Sequence, residues 1–194
     1  MTKKVLILCS TIDGHTRQIC ERLAANFDAN GVAATIEDLM PTSAIDIQRF
    51  NAVVIGASIR YGKHRQEVTN FIEHNRDYLA STPSAFFSVN AVARKPEKQT
   101  PETNPYVRKF LGGISWNPSF IGIFGGKIDY PSYSFFDKNM IRLIMWITKG
   151  PTDAQKTFEF TDWDAVDTFG KTVTQSIKGP LPATSGQMVT ARVA

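Results

Sequence analysis

The chain has 194 residues, enough for one domain with a sizeable core. Its composition, 42% hydrophobic and 21% charged, excludes a disordered chain. The net charge of +4 and the sequence pI of about 9.1 permit an anionic partner without requiring one, and we expect no nucleic-acid partner. No run of about 20 apolar residues is present, which excludes a single membrane-spanning helix.

The N-terminal apolar run, residues 5–9, is too short for a signal peptide. We therefore expect the two cysteines, Cys9 and Cys20, to lie in a reducing cytoplasm. Their spacing fits neither a metal site nor a CxxC motif, so the sequence predicts no metal and two half-buried thiols without a role.

Short apolar segments alternate with amphipathic ones along the chain. The predicted strands are residues 4–10, 32–38, 51–58, 84–92 and 119–126. The predicted helices are residues 15–30, a short one after 41, 63–80, 105–111 and 162–178. This alternation predicts an α/β fold with a doubly wound, five-stranded parallel sheet of the flavodoxin-like order 2-1-3-4-5.

The predicted domain is single and covers residues 1–178. Residues 179–194 contain two prolines and small polar residues, which predicts a flexible tail. An insertion at about 127–156 follows strand 5, and residues 157–160 after it are expected to continue the edge of the sheet. A connection of this length is unusual and suggests a function.

The insertion contains an extra amphipathic helix at residues 135–149. At 100° per residue, its basic side chains fall on one narrow edge and Trp146 flanks that edge. The basic residues are Lys138, Arg142 and Lys149, and the opposite apolar face carries Phe136, Met140, Leu143, Ile144 and Ile147. This pattern favours a helix lying in a membrane surface. Two alternatives remain, in which the apolar face folds back on the domain or meets a second subunit.

The loop after strand 1 reads STIDGHT and runs into the first helix. Hydroxyl groups, a glycine and the free amides at a helix start together form an anion-binding cradle. The candidate cofactor-binding residues are Ser10, Thr11, Ile12, Asp13, Gly14, His15 and Thr16. The alternative is a simple helix cap that binds nothing. There is no GxGxxG or GxxxxGK[ST] motif, so dinucleotide and P-loop sites have little support.

Two further loops end at the same edge of the predicted sheet. The candidates after strand 3 are Ser58, Ile59, Arg60 and Tyr61, and those after strand 4 are Ser88, Val89 and Asn90. Tyr61 can stack on a flat ring, Arg60 can meet an anion, and Asn90 can read the edge of a ring. With the phosphate cradle, these loops favour FMN as the cofactor.

Several segments resemble a known family. STIDGHT is similar to the flavodoxin phosphate motif T-x-T-G-x-T, with Asp13 in place of a threonine. A carboxylate beside a phosphate is unfavourable unless it turns away to cap the helix, so the sequence leaves the role of Asp13 open. The more specific segments are VVIGASIRYGKH, SAFFSVNAVARKPEKQTPETNPYVRKFL, MIRLIM and FTDW. Together they resemble the menaquinone-dependent protoporphyrinogen IX dehydrogenases of bacterial haem biosynthesis, over residues 3 to 178.

This resemblance implies an FMN enzyme, peripheral on the cytoplasmic face of the bacterial inner membrane. It would remove six electrons from protoporphyrinogen IX in three two-electron steps and pass them to menaquinone, ubiquinone or another quinone. Arg60, Arg94 and Lys95 are the candidates for binding the two propionates of the substrate. His64 is a candidate proton shuttle, with a surface position as the alternative.

Two other functions use the same loops. One is a flavodoxin-type electron carrier, although such carriers are typically acidic and lack a basic, apolar insertion. The other is an NAD(P)H:quinone reductase, for which the chain shows no nucleotide fingerprint, although none is required on this fold.

Overall fold

A parallel β-sheet forms the centre of the molecule in the computed structural model, which describes residues 2–40, 45–179 and the backbone of 189–190. The long strands are β1 (Lys4–Ser10), β2 (Ala33–Asp38), β3 (Ala52–Ser58), β4 (Ser84–Asn90) and β5 (Phe120–Gly125). Their order is β2-β1-β3-β4-β5, which confirms the predicted flavodoxin-like topology. β1 pairs with both β2 and β3, so the order in which successive strands are added to the sheet reverses beside β1. Ligands bind at such a switch point, at the carboxyl ends of the strands.

Helices cover both faces of this sheet, as the apolar character of its strands requires. The helices are α1 (His15–Ala29), α2 (Gln66–His74), α3 (Arg76–Ser81), α4 (Pro105–Leu111), α5 (Phe135–Ile147) and α6 (Trp163–Lys178). One core layer joins α1 and α6 to the sheet through Leu23, Phe27 and Phe169. The other joins α2 and α3 to the opposite face through Ile72 and Leu79.

One close approach inside the sheet requires a glycine. Gly56 of β3 is paired with Phe87 of β4. A Cβ atom at residue 56 would lie 2.1 Å from the ring of Phe87, so only glycine leaves room for this ring.

Three sequence-based expectations need correction. Residues 63–80 form two helices, because the chain breaks at Asn75 between α2 and α3. Residues 157–160 do not extend the main sheet: β7 (Thr157–Glu159) pairs antiparallel with β6 (Lys127–Asp129) in a separate hairpin. Cys9 and Cys20 are fully buried rather than half-buried.

Two residues of the predicted tail are described. Val189–Thr190 forms a short strand, β8, parallel to β5 at the sheet edge. The rest of the tail beyond Gly179 lies outside the described residues. Residues 41–44 also lie outside them.

The extra helix α5 is present where the sequence predicts it, and it packs through one narrow side. Met145 is 1% exposed and joins Ile128 and Tyr130 in a small separate core. The outward side of α5 presents a continuous group of exposed apolar side chains. They are Phe135, Phe136, Leu143, Trp146 and Ile147, between 56% and 85% exposed. Within the described parts of the chain, no helix combines the length and apolar character needed to cross a bilayer.

Candidate functional site

A cavity of about 470 Å³ lies at the carboxyl ends of β1, β3 and β4, within the size range of cofactor and ligand pockets. The loops after these three strands form one wall. The inner side of α5 forms the opposite wall, through Met140, Ile141 and Ile144. The insertion after β5 therefore covers the edge of the sheet where the sequence predicts the cofactor.

The loop after β1 has the features expected of a phosphate cradle. Gly14 adopts a left-handed conformation, with φ of 80°, and α1 begins at the next residue. The hydroxyl groups of Ser10 and Thr16 are buried, and neither has a hydrogen-bond partner within the described structure. Buried hydroxyls are almost always paired, so two unpaired hydroxyls on either side of the loop between β1 and α1 fit an anionic ligand.

Asp13 does not cap α1. The N-cap of α1 is Gly14, and no side chain caps this end. Asp13 instead accepts hydrogen bonds from Arg60 across the cavity mouth, at 3.1 and 3.2 Å. This ion pair offsets the repulsion that a carboxylate would otherwise exert on a phosphate nearby.

Aromatic and apolar side chains line the rest of the cavity. Tyr61, Tyr106 and Tyr133 contribute rings, and Ile59 and Val89 contribute aliphatic groups. Burial raises the pKa of Tyr133, so its hydroxyl is neutral near pH 7. A cavity with an anion cradle at one end and rings along its walls fits a phosphorylated, flat cofactor such as FMN.

Asn90 lines the cavity, but its side-chain amide is engaged internally. Its Oδ1 accepts hydrogen bonds from the backbone N–H of Ala93 at 3.0 Å and from Asn104 Nδ2 at 3.2 Å. Its Nδ2 donates to Ser88 Oγ at 3.2 Å. Asn90 thereby fixes the 3-10 turn Ala91–Arg94, and most of its side-chain amide is engaged within the protein.

His64 lies behind the cavity wall rather than on it. The imidazole is 7% exposed and packs between Phe86 and Phe110, and its Nε2 is 3.0 Å from Ser88 Oγ. Burial lowers the pKa of His64 to about 4, so the ring is neutral at physiological pH. The structure does not bring this candidate proton shuttle to the site.

His15 lies at the cavity, where its side chain is held by two neighbours. Its Nε2 is 2.6 Å from Thr161 Oγ1, and its Nδ1 is 3.0 Å from Gln18 Oε1. Thr161 in turn donates to the backbone carbonyl of Gly125 at 2.8 Å. Burial lowers the pKa of His15. The imidazole joins the start of α1 to the segment before α6 and closes one side of the cradle.

Two of the three basic residues predicted for the propionates lie on the cavity. Arg60 and Arg94 line it, whereas Lys95 does not. Arg94 is also bound to the C-terminal end of α5, where its Nη2 donates to the Thr148 carbonyl oxygen at 2.7 Å. Lys127, which follows β5 and Gly126, also lines the cavity.

The cofactor-binding prediction divides into three groups. Ten predicted residues line the cavity, namely Thr11, Asp13, His15, Thr16, Ser58, Ile59, Arg60, Tyr61, Val89 and Asn90. Ser10 and Gly14 shape the cradle from behind, and Ser88 holds Asn90. Ile12 points outward, with 47% exposure.

The sequence reasoning missed the contributions of α4 and α5. Tyr106, Tyr133, Asp137 and Thr148 all line the cavity although they come from segments far from the three loops. The position of the insertion directly after β5 was the available signal, because that strand ends at the same sheet edge.

Residues 6–155 match the flavodoxin domain family. A protoporphyrinogen IX dehydrogenase [quinone] of Escherichia coli (strain K12) is 42% identical over 170 residues, 88% of this chain and 94% of that protein. A protein of the same name from Leishmania major is also 42% identical, over 86% of this chain and 72% of that protein.

Solved structures share the fold at low sequence identity. Oxidised flavodoxin 1 of Bacillus cereus has a TM-score of 0.52 and 11% identity, covering 89% of this chain and 98% of that one. The rubredoxin oxygen:oxidoreductase of Desulfovibrio gigas has a TM-score of 0.53 and 13% identity, and the match covers 91% of this chain but 37% of that one. These two likenesses establish the fold alone.

Proposed function

The chain belongs to the flavodoxin domain family and, within it, to the quinone-dependent protoporphyrinogen IX dehydrogenases, a group of oxidoreductases; from this premise we propose that it oxidises protoporphyrinogen IX to protoporphyrin IX with FMN as cofactor. The acceptor in this proposal is menaquinone or another quinone, and the reaction belongs to haem biosynthesis. The relatives' names support the substrate and the quinone class.

The cavity roofed by α5 is the observation that carries this proposal. A protein that only relays electrons needs no covered space beside its cofactor. Here α5 adds an apolar wall of Met140, Ile141 and Ile144 opposite the flavin loops. A covered, mostly apolar cavity suits a flat tetrapyrrole or a quinone, because both bury large apolar surfaces on binding.

The proposed reaction balances with three quinones. Protoporphyrinogen IX loses six electrons and six protons, and three quinones each gain two of both. The bound flavin would supply the two-electron chemistry, and the protein would supply binding and orientation.

The chain's own groups have defined tasks in this scheme. The unpaired hydroxyl of Thr16, which lines the cavity, would donate to the phosphate. Arg60 and Arg94 bring positive charge to the cavity for the propionates of the substrate. The walls that exclude water are Tyr61, Tyr133 and α5.

We further propose that the protein sits peripherally on the cytoplasmic face of a bacterial inner membrane, through α5. The outward apolar side chains of this helix are supported by Arg142 and Lys149, which are exposed beside them. Apolar side chains can enter the interface while the basic groups meet anionic lipid. This placement would bring lipid-soluble substrates to the cavity beneath the same helix.

The test is anaerobic turnover by the FMN-loaded protein. With protoporphyrinogen alone, the flavin should bleach as it is reduced, and a quinone should restore its colour while porphyrin fluorescence rises. Reduction of the flavin by a reductase with no loss of porphyrinogen would instead indicate an electron carrier. Quinone reduction driven by NAD(P)H would indicate the third candidate function. Failure to bind FMN at micromolar concentration would exclude all three.

A further inference from the structure

Asp137 connects α5 to the loop after β3. Its Oδ2 accepts a hydrogen bond from Arg60 Nη2 at 3.1 Å, and its Oδ1 accepts one from the Tyr61 hydroxyl at 2.9 Å. Asp137 is in the first turn of α5, where the Ser134 hydroxyl donates to Oδ2 at 2.9 Å. Its carboxylate therefore holds the start of the roof helix onto the wall of the cavity.

Arg60 is shared between two carboxylates. Its Nη1 donates to Asp13 and its Nη2 to Asp137, and the side chain keeps 22% exposure at the cavity. A guanidinium ion binds a carboxylate most strongly when two parallel N–H groups face it. In the arrangement seen here, both terminal nitrogens of Arg60 already face carboxylates of the protein, so a ligand carboxylate would compete with Asp13 and Asp137 for the same charge.

The two ends of α5 are held differently. At the C-terminal end, Arg94 donates to the carbonyl and the hydroxyl of Thr148, and Met145 is buried. At the N-terminal end, Phe135 and Phe136 are 85% and 75% exposed, so apolar packing contributes little there. The Asp137 contacts provide the attachment at this end. The N-terminal end of α5 is therefore held mainly by the polar contacts of Asp137.

The residue that meets Asp137 is itself in an uncommon conformation. Tyr61 has φ of 50°, in the left-handed region that a bulky side chain rarely adopts. Its hydroxyl bond to Asp137 and the Arg60 guanidinium 5.1 Å from its ring centre help to hold it there. Loss of Asp137 from this cluster removes a partner of both residues and favours rearrangement of the loop.

We propose that Asp137 occupies the binding position of a substrate carboxylate on Arg60, and that a propionate entering the cavity displaces it and releases the start of α5. This inference rests on the proposed porphyrinogen substrate. Asp137 is a positioning residue in this scheme. It makes opening of the roof depend on a ligand with an acidic group, since a neutral ligand of the same shape gives Arg60 no replacement for Asp137.

The test compares two porphyrins on the FMN-loaded protein in the same detergent: protoporphyrin IX, which carries two free carboxylates, and its dimethyl ester, which carries none. The variant is Asp137→Asn, which is isosteric and keeps the Ser134 cap. Because a competing charge is removed, the affinity for the diacid should rise roughly three- to tenfold relative to that for the ester. Asp153→Asn is the matched control, since Asp153 lies in the same insertion and pairs with Lys156 instead.

A second readout follows the helix itself. Hydrogen exchange of residues 135–141 in the wild-type protein should increase with the diacid and not with the ester, and Arg60→Gln should abolish this difference. An unchanged diacid-to-ester ratio in Asp137→Asn, or equal exchange with both porphyrins, would overturn the inference. If the wild-type protein binds neither porphyrin, the proposed function itself fails, which separates the two outcomes.

Discussion

Arg94 donates two hydrogen bonds to Thr148, at 2.7 Å to the carbonyl oxygen and 2.9 Å to the hydroxyl. A third bond, at 2.9 Å, reaches the carbonyl oxygen of Ala91. Thr148 caps the C-terminal end of α5, where the helix dipole favours a cation. Arg94, which follows β4, thus anchors the C-terminal end of α5. The residue predicted to bind a substrate propionate therefore also has a structural role.

Arg94→Ala should loosen the C-terminal end of α5 without unfolding the domain. Bonds from a charged group to carbonyl oxygens contribute about 1.5–3 kcal/mol each in favourable cases. We expect hydrogen-exchange protection of residues 144–150 to fall by at least tenfold, with the phosphate cradle and FMN affinity little changed. Arg108→Ala is the control, because Arg108 is exposed on α4. Equal protection in both variants would contradict this role of Arg94.

The orphan hydroxyl of Thr16 leads to a second prediction. Thr16→Val keeps the side-chain shape and removes a buried oxygen with no partner within the described structure. The protein without FMN should be as stable as the wild type or slightly more so, since nothing is lost and a desolvated hydroxyl is removed. FMN affinity should fall by roughly 10- to 150-fold, because a hydrogen bond to a charged phosphate contributes roughly 1.5–3 kcal/mol.

The matched control for this change is Thr174→Val. Thr174 is also a buried helical threonine, but it lies on α6 and its hydroxyl donates to the Gly170 carbonyl at 2.7 Å. We expect unchanged FMN affinity in this variant, measured by fluorescence quenching of the flavin. An equal loss of FMN affinity in Thr174→Val and Thr16→Val would show that the loss does not come from a hydrogen bond in the phosphate cradle.

The buried His64 should make the protein less stable in acid. Burial lowers its pKa from 6.5 to about 4, so the unfolded chain binds a proton more readily than the folded one. The contribution of the neutral His64 to the free energy of unfolding is therefore fully present above pH 6.5, and it falls as the pH decreases from 6.5 towards 4. At pH 4.5 the loss from this group amounts to about 2–3 kcal/mol of unfolding free energy relative to pH 7.

Urea unfolding at pH 7 and pH 4.5 measures this effect, with His64→Gln as the variant. The acid-dependent loss should be smaller in the variant by about 2 kcal/mol. His15 also has a pKa lowered by burial and contributes in the same direction in both proteins. The effect of His64 is therefore the difference between the wild-type protein and the variant. An identical pH dependence in both proteins would show that His64 titrates normally.

Local patterns predicted the sheet order because each strand and helix has its own apolar period, and the phosphate loop because its residues are adjacent in sequence. The contact of Arg60 with Asp137 joins residues 77 positions apart, and no local pattern marks it. The burial of His64 depends on contact with Phe110 of α4. The sequence around His64 is polar and gives no sign of this burial. The β6–β7 hairpin has three residues in each strand, too few for a periodic signal.

The exposed apolar side of α5 gives the last prediction. Leu143 and Ile147 are 56% and 65% exposed and lie on the outward side of the helix. In Leu143→Glu with Ile147→Glu, two carboxylates replace the apolar groups proposed to enter the membrane interface. Neither residue lines the cavity, so FMN should still bind. The double variant should remain in the supernatant when wild-type protein sediments with vesicles containing anionic lipid.

A control separates loss of apolar contact from added negative charge. Thr168→Glu with Gln175→Glu adds the same two charges to exposed positions on α6, away from the roof helix. This variant should sediment with vesicles nearly as well as the wild type, with a modest decrease that disappears at higher salt. If the α5 variant still sediments, or if both variants are released equally, then α5 is not the membrane contact, and its apolar side requires another partner.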